Sequence, residues 1–73
     1  MHQILSNIAM LDTINYCKAN NIPANGYNGQ GSRLVKYPRR WTYALVESDT
    51  GRAIVTVSYY KNRVPSYFVT PTN

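Results

Sequence analysis

The spacing of apolar residues changes from a helical period to a strand period about one third of the way along the chain. In the N-terminal part, apolar side chains recur at intervals of three or four residues. The positions are Ile4, Ile8, Leu11 and Ile14, with Leu5 beside them. This period predicts a helix over about residues 3–20, with these side chains facing the core.

The end of this helix is marked more clearly than its start. Four consecutive residues carry the stop signal: Asn20, Asn21, Ile22 and Pro23. The asparagines tolerate the left-handed conformation of a C-cap, the isoleucine can pack back on the last turn, and the proline cannot continue a helix. At the start, Asp12 and Thr13 occupy positions where an internal N-cap could stand, so a shorter helix beginning there is the alternative.

The strand period follows a loop rich in glycine and asparagine at residues 24–32. β-Branched and aromatic residues then predict a sheet over about residues 33–70. The expected strands cover residues 33–36, 41–47, 52–60 and 64–70. Gly51 suits the left-handed position of the turn between the two long strands, and a second turn is expected at Lys61 and Asn62. Pro65 restricts the last strand to a sheet edge or to a position without a ladder hydrogen bond.

The order of these elements predicts an α+β fold. An N-terminal helix would pack on a three- to four-stranded antiparallel meander sheet (α-β-β-β), in a single domain over residues 1–73. With Ser48 opposite Arg52, the face toward the helix carries Trp41, Tyr43, Leu45, Val55, Val57 and Tyr59, joined by Val64 and Phe68.

The other face of the sheet would have no helix to cover it. Its expected members are Thr42, Ala44, Val46, Ile54, Thr56, Ser58, Tyr60, Tyr67 and Val69. This set is too apolar for a solvated surface, and exposed apolar area on a small protein usually marks an interaction site. We therefore expect either a binding surface or a homodimer or higher homo-oligomer formed through this face.

The composition excludes several classes of function. A chain of 73 residues buries only about 60% of its unfolded surface, so a deep substrate cleft is not expected. Its 44% hydrophobic and 15% charged residues are typical of a folded domain. Cys17 cannot form an internal disulfide and is expected to be a small buried side chain, and with His2 it provides too few ligands for zinc. Neither a metal nor another cofactor is predicted.

Neither a membrane segment nor a catalytic site is predicted. The first eleven residues lack a basic start and contain polar interruptions, which favours a cytoplasmic protein, in the host cytoplasm if a phage encodes it. The three acids are Asp12 on the helix and Glu47 and Asp49 at a turn. With one histidine and no carboxylate pair around a cleft, the sequence predicts a protein that is not an enzyme.

The positive charge is concentrated in the sheet. The net charge is +5 with a pI of about 9.7, which favours an anionic partner. Seven of the eight basic residues lie between positions 33 and 63. A meander would bring Arg39, Arg40, Lys61 and Arg63 to one end of the sheet, with Arg33 and Lys36 nearby. The aromatic candidates for stacking on bases are Tyr37, Tyr60 and Tyr67, whereas Trp41 is assigned to the core.

The glycine loop and the overall element order add less to the functional prediction. The loop could hold an anion on its backbone N–H groups, but it lacks the phosphate-loop and dinucleotide patterns, which favours a connector. The helix-then-strands order resembles in outline the first part of the double-stranded-RNA-binding domain, over residues 4–70. No motif of that family can be placed on residues of this chain, so no family is assigned.

Three functional hypotheses follow from these patterns. The first is a non-enzymatic module for a phosphate-rich ligand, nucleic acid above all, of the kind a phage or mobile element would use as an accessory protein. The second is an inhibitor that places the same charges on an acidic protein surface or a nucleic-acid channel of a host complex. The third is an oligomer that holds a nucleotide between subunits with the glycine loop and Tyr60 or Tyr67.

Overall fold

The computed structural model describes residues 6–24, 26 and 33–71. Within these ranges the chain forms a helix α1 (Ser6–Ala19) and the strands β1 (Leu34–Tyr37), β2 (Arg40–Val46), β3 (Ala53–Tyr60) and β4 (Ser66–Val69). The strands form one antiparallel sheet in the order β1-β2-β3-β4, and the helix packs on β2 and β3. The predicted α+β meander is confirmed. No helix in the described ranges has the length and apolarity needed to cross a membrane.

The helix ends where the sequence predicts. Asn21 has a φ of 55°, and the N–H of Ile22 donates to the carbonyl of Cys17 at 2.9 Å, which is the hydrogen bond of a Schellman cap. Ile22 packs against the core, as expected. The helix passes through Asp12 and Thr13 without a break, so the alternative start there is wrong.

The buried side of the helix agrees only in part with the predicted one. Ile14 packs against the core as predicted, and Ile4 and Leu5 lie outside the described residues. Ala9, Thr13 and Cys17, spaced four residues apart, are buried, whereas Ile8 is 46% and Leu11 53% exposed. Ala9, Thr13 and Cys17 have small side chains, so the helix axis can lie close to the sheet, and larger side chains of the sheet fill the interface. The Thr13 hydroxyl lies 2.8 Å from the Met10 carbonyl and 3.1 Å from that of Ala9, so its burial leaves no donor unsatisfied.

Cys17 is buried in this interface, as the sequence predicts. Burial raises the pKa of its thiol, because the thiolate would lose its hydration. The thiol is therefore kept in its neutral, unreactive form.

The central strand pair has the predicted register over most of its length. Trp41 pairs with Tyr59, Tyr43 with Val57, and Leu45 with Val55. Gly51 has a φ of 73°, as its turn position requires. Near the turn a β-bulge shifts the pairing by one residue, so the N–H of Glu47, not Ser48, faces Arg52 and donates to its carbonyl at 2.9 Å.

The bulge also moves Ile54 from its predicted position. Val46 pairs with Ala53 and Leu45 with Val55, so Ile54 is the additional residue in β3. Its side chain is buried in the core, where it lines a small depression together with Ile22 and Pro23. The prediction that Ile54 lies on the uncovered face is therefore wrong.

The faces of the last strand are the reverse of the predicted ones. Tyr67 pairs with Val57 and Val69 with Val55, which places both on the side of the helix, whereas Phe68 pairs with Thr56 on the other side. The connection between β3 and β4 covers residues 61–65, longer than the expected two-residue turn, and Val64 within it is 84% exposed. Because side chains alternate along a strand, an error of one residue exchanges the two faces.

Candidate functional site

Two turns lie at the same end of the sheet. The β1–β2 turn contains Pro38 and Arg39, and the β3–β4 turn contains residues 61–65. In a meander these turns are about 10 Å apart, the width of two strand spacings. Together with the neighbouring strand ends they line a depression of about 630 Å³ formed by Lys36, Pro38, Arg39, Tyr60, Lys61 and Arg63. We call these six residues, together with Arg40, the basic end.

The cations of the basic end have no acidic partner among the described residues. Lys36, Arg39, Lys61 and Arg63 are all exposed. The chain's acidic residues lie elsewhere: the Asp12 carboxylate accepts a hydrogen bond from Tyr59, and Glu47 accepts one from Thr50 at the opposite end of the sheet. The basic end therefore has an uncompensated positive potential, which attracts anions.

Contacts between cations and aromatic rings orient this charge. The guanidinium carbon of Arg40 lies 4.3 Å from the ring centroid of Tyr37, and that of Arg63 lies 5.8 Å from the ring of Tyr60. Arg40 Nε also donates to Thr42 Oγ1 at 3.2 Å. Cation–π contacts of this kind restrict the side chains while leaving guanidinium N–H groups for an anion.

The structure brings together most, but not all, of the predicted site residues. Arg39, Lys61, Arg63, Lys36 and Tyr60 line one depression, and Arg40 lies beside it next to Tyr37. Arg33 is exposed but lies four residues before Tyr37, about 13 Å away along the strand. It is not part of the basic end.

Tyr67 is the predicted contact residue that the structure moves away from the site. It lies on the side of the helix, where its ring stacks on Tyr16 with centroids 4.2 Å apart and planes inclined by 9°. Burial raises the pKa of its phenol, and the nearby Asp12 carboxylate adds to this effect. Tyr67 therefore contributes to packing between helix and sheet, and its predicted position on the uncovered face is wrong.

The sheet face away from the helix is less apolar than the sequence predicts. By register it consists of Val35, Tyr37, Arg40, Thr42, Ala44, Val46, Ala53, Thr56, Ser58, Tyr60, Ser66 and Phe68, which we call the open face. Ile54, Tyr67 and Val69, three of the apolar residues expected there, belong to the other side. The predicted second copy of the chain on this face stays a prediction. Phe68 is the contact candidate that sequence reasoning missed, and the position of Pro65 in a longer turn was the signal that could have found it.

The start of the glycine loop lies at the other end of the sheet. Gly26 has a φ of 71°, and its carbonyl accepts a hydrogen bond from the N–H of Ser48 at 2.6 Å. Ser48 belongs to the turn between β2 and β3. The length of β3, about 23 Å, separates that turn from Tyr60. The remaining loop positions, 25 and 27–32, lie outside the described residues. Gly26 and Tyr60, which the nucleotide hypothesis combines, are thus far apart within one chain.

Neither a metal-binding cluster among the described residues nor a matching protein family indicates a function. Within the described part of the chain, no group of three or more His, Cys, Asp and Glu residues could hold a metal ion. Comparisons with protein family models, curated proteins and solved structures found no match.

Proposed function

We propose that this protein is a non-enzymatic module that binds a phosphate-rich polymer, nucleic acid, through the basic end. One observation carries the proposal. Lys36 from β1, Arg39 from one turn, and Lys61 and Arg63 from the other line a single depression, and none has an acidic partner among the described residues.

The distribution of the charge favours binding of a polymer rather than binding of a single small anion. The depression has the size of a small-molecule site, but its four cations come from both sides of a wide, open end of the sheet. Arg40 extends the charge beyond the depression onto the open face. Several phosphates spaced along a backbone match such a spread of cations better than one compact phosphate group does.

Salt dependence provides the first test. Five phosphate contacts predict a log–log slope of about −3.5 for single strands and −4.5 for duplex DNA, or a loss of affinity of roughly 100- to 500-fold between 50 and 200 mM salt. The measurement is fluorescence anisotropy with labelled 12-nucleotide single strands and 12-base-pair duplexes over that salt range.

Matched charge variants then locate the contact. Arg39→Gln, Lys61→Gln and Arg63→Gln are each expected to weaken binding and to reduce the slope by about 0.7 to 0.9. Lys18→Gln removes the same charge from the exposed last turn of the helix and is expected to leave affinity nearly unchanged. Absence of binding at 50 mM salt, or an equal loss in the Lys18 variant, would contradict the proposal.

The inhibitor hypothesis uses the same cations and is separated by a different measurement. An inhibitor would form a stoichiometric complex with an acidic protein that survives nuclease treatment, and the variants of the basic end would abolish that complex. Purified protein that binds no oligonucleotide, yet retains such a protein complex, would favour the inhibitor.

A further inference from the structure

We infer that the nucleic acid is single-stranded and lies across the open face, with its backbone at the basic end and its bases on the sheet. This inference rests on the proposed function and adds the class of ligand and the surface that reads it. It is carried by the shape, chemistry and charge of the open face.

The open face is a shallow trough with small side chains along its floor. The two central strands contribute Thr42, Ala44, Val46, Ala53, Thr56 and Ser58, all partly buried. The edge strands contribute the larger, exposed Val35, Tyr37 and Phe68 as rims. Arg40 and Tyr60 pair with each other at the end of the trough that opens onto the basic end.

The side chains of the trough match the chemistry of unpaired bases. Phe68 is 62% and Tyr37 41% exposed, so each presents ring surface on which a base can stack. The planar guanidinium of Arg40, already against Tyr37, can extend such a stack. The hydroxyls of Thr42, Thr56 and Ser58 provide donors and acceptors for base edges.

The charge of the trough is also complementary to nucleic acid. None of the twelve residues of the open face is acidic, and Arg40 and Tyr60 connect it directly to the cations of the basic end. A polymer bound at the basic end can therefore continue onto the open face without meeting a negative charge. An acidic peptide would gain from the cations but would not use the stacking surfaces.

The width of the sheet disfavours a duplex on this face. A sheet that reads duplex DNA enters the major groove, which is about 12 Å wide and admits a two-stranded ribbon. The rims of this trough lie three strand spacings apart, about 14 Å before side chains are added. The exposed rims would meet a duplex before the recessed floor could approach its bases, whereas separated bases can enter the trough.

The test measures the affinity of Phe68 variants for single strands and for duplexes of the same sequence. Phe68→Ala is expected to weaken single-strand binding roughly 5- to 150-fold and to leave duplex binding unchanged. Phe68→Trp is expected to retain single-strand affinity, since indole also stacks. Leu11→Ala removes a similarly exposed apolar side chain from the helix, on the far side of the sheet, and is the matched control.

The outcomes separate this inference from the proposed function. If duplex binds at least as tightly as single strand, or Phe68→Ala has no more effect than Leu11→Ala, the inference is wrong while binding at the basic end stands. If light scattering shows a dimer that Phe68→Ala dissociates with no loss of single-strand affinity, a second copy occupies the face and the inference is again wrong. If no oligonucleotide binds at all, the proposed function fails first.

Discussion

Among the described residues, a hydrogen bond between two polar side chains links the helix to the sheet near the edge of the core. Tyr59 Oη donates to Asp12 Oδ2 at 2.7 Å, and the Tyr59 ring is buried. Burial raises the pKa of the Tyr59 phenol, and the hydrogen bond to the Asp12 carboxylate raises it further. A functional role is unnecessary to explain this pair, because it satisfies two polar groups where the helix meets β3.

Tyr59→Phe tests the energetic contribution of this bond. Removing the hydroxyl leaves the partly buried carboxylate of Asp12 without its donor, and hydrogen bonds to charged groups contribute about 2 kcal/mol. We expect the free energy of unfolding at pH 7 to fall by that amount, measured by urea denaturation. Tyr60→Phe, which changes the neighbouring residue on the open face, is the control and is expected to change stability much less.

The same bond predicts how stability depends on pH. The native state holds the Tyr59 proton more tightly than the unfolded state, where the pKa is about 10. Its contribution is therefore fully present below pH 10 and is lost as the pH rises above it, by at most about 1.4 kcal/mol per pH unit. Urea denaturation between pH 8 and 11 should show a shallower decline for Tyr59→Phe than for the unchanged protein. Parallel declines would contradict the assignment.

At the scale of elements, the most deeply buried residues of the helix are small ones, and the larger Met10, Ile14 and Tyr16 pack around them partly buried. Ala9, Thr13 and Cys17 are buried, while Ile8 and Leu11 are about half exposed. We expect Ala9→Leu to destabilise the protein by about 1–3 kcal/mol, since the added side chain has no space against the sheet. Leu11→Ala should change stability by less than about 0.5 kcal/mol. Chemical denaturation of both variants checks this, and the opposite ranking would mean that the helix presents its other side to the sheet.

How far the sequence predicts each element depends on whether the deciding information is local. The register of β2 and β3 is predictable because Gly51, with its positive φ, places the turn. The bulge that buries Ile54 and the long connection before β4 depend on packing and loop length, which alternating apolarity does not encode. The buried face of the helix is only partly predictable for a related reason: the spacing of large apolar residues places Ile14 correctly but does not show how closely a helix approaches a sheet. The basic end was predictable because a meander alone brings its two turns together.

At the scale of the whole molecule, the charge is unevenly placed. The basic end lies at one end of the sheet, and Glu47 and Asp49 lie at the turn at the other. Like charges close together raise the free energy of the folded state, because unfolding allows them to separate. The fold tolerates this repulsion without internal ion pairs among the described residues at the basic end, as the proposed binding of an external anion requires.

Because of this repulsion, removing positive charge from the basic end should raise stability while it weakens binding. Lys61→Glu reduces repulsion at the basic end, so we expect Tm to rise by on the order of 1–3 °C in 20 mM salt, while oligonucleotide binding is lost. In 1 M salt the Debye length falls to about 3 Å, and the difference in Tm should disappear. Lys18→Glu makes the same charge change beside the negative end of the helix dipole, so its Tm should fall instead. If both variants shift Tm in the same direction, net charge rather than its placement governs stability, and the basic end carries no stored repulsion for a bound phosphate chain to relieve.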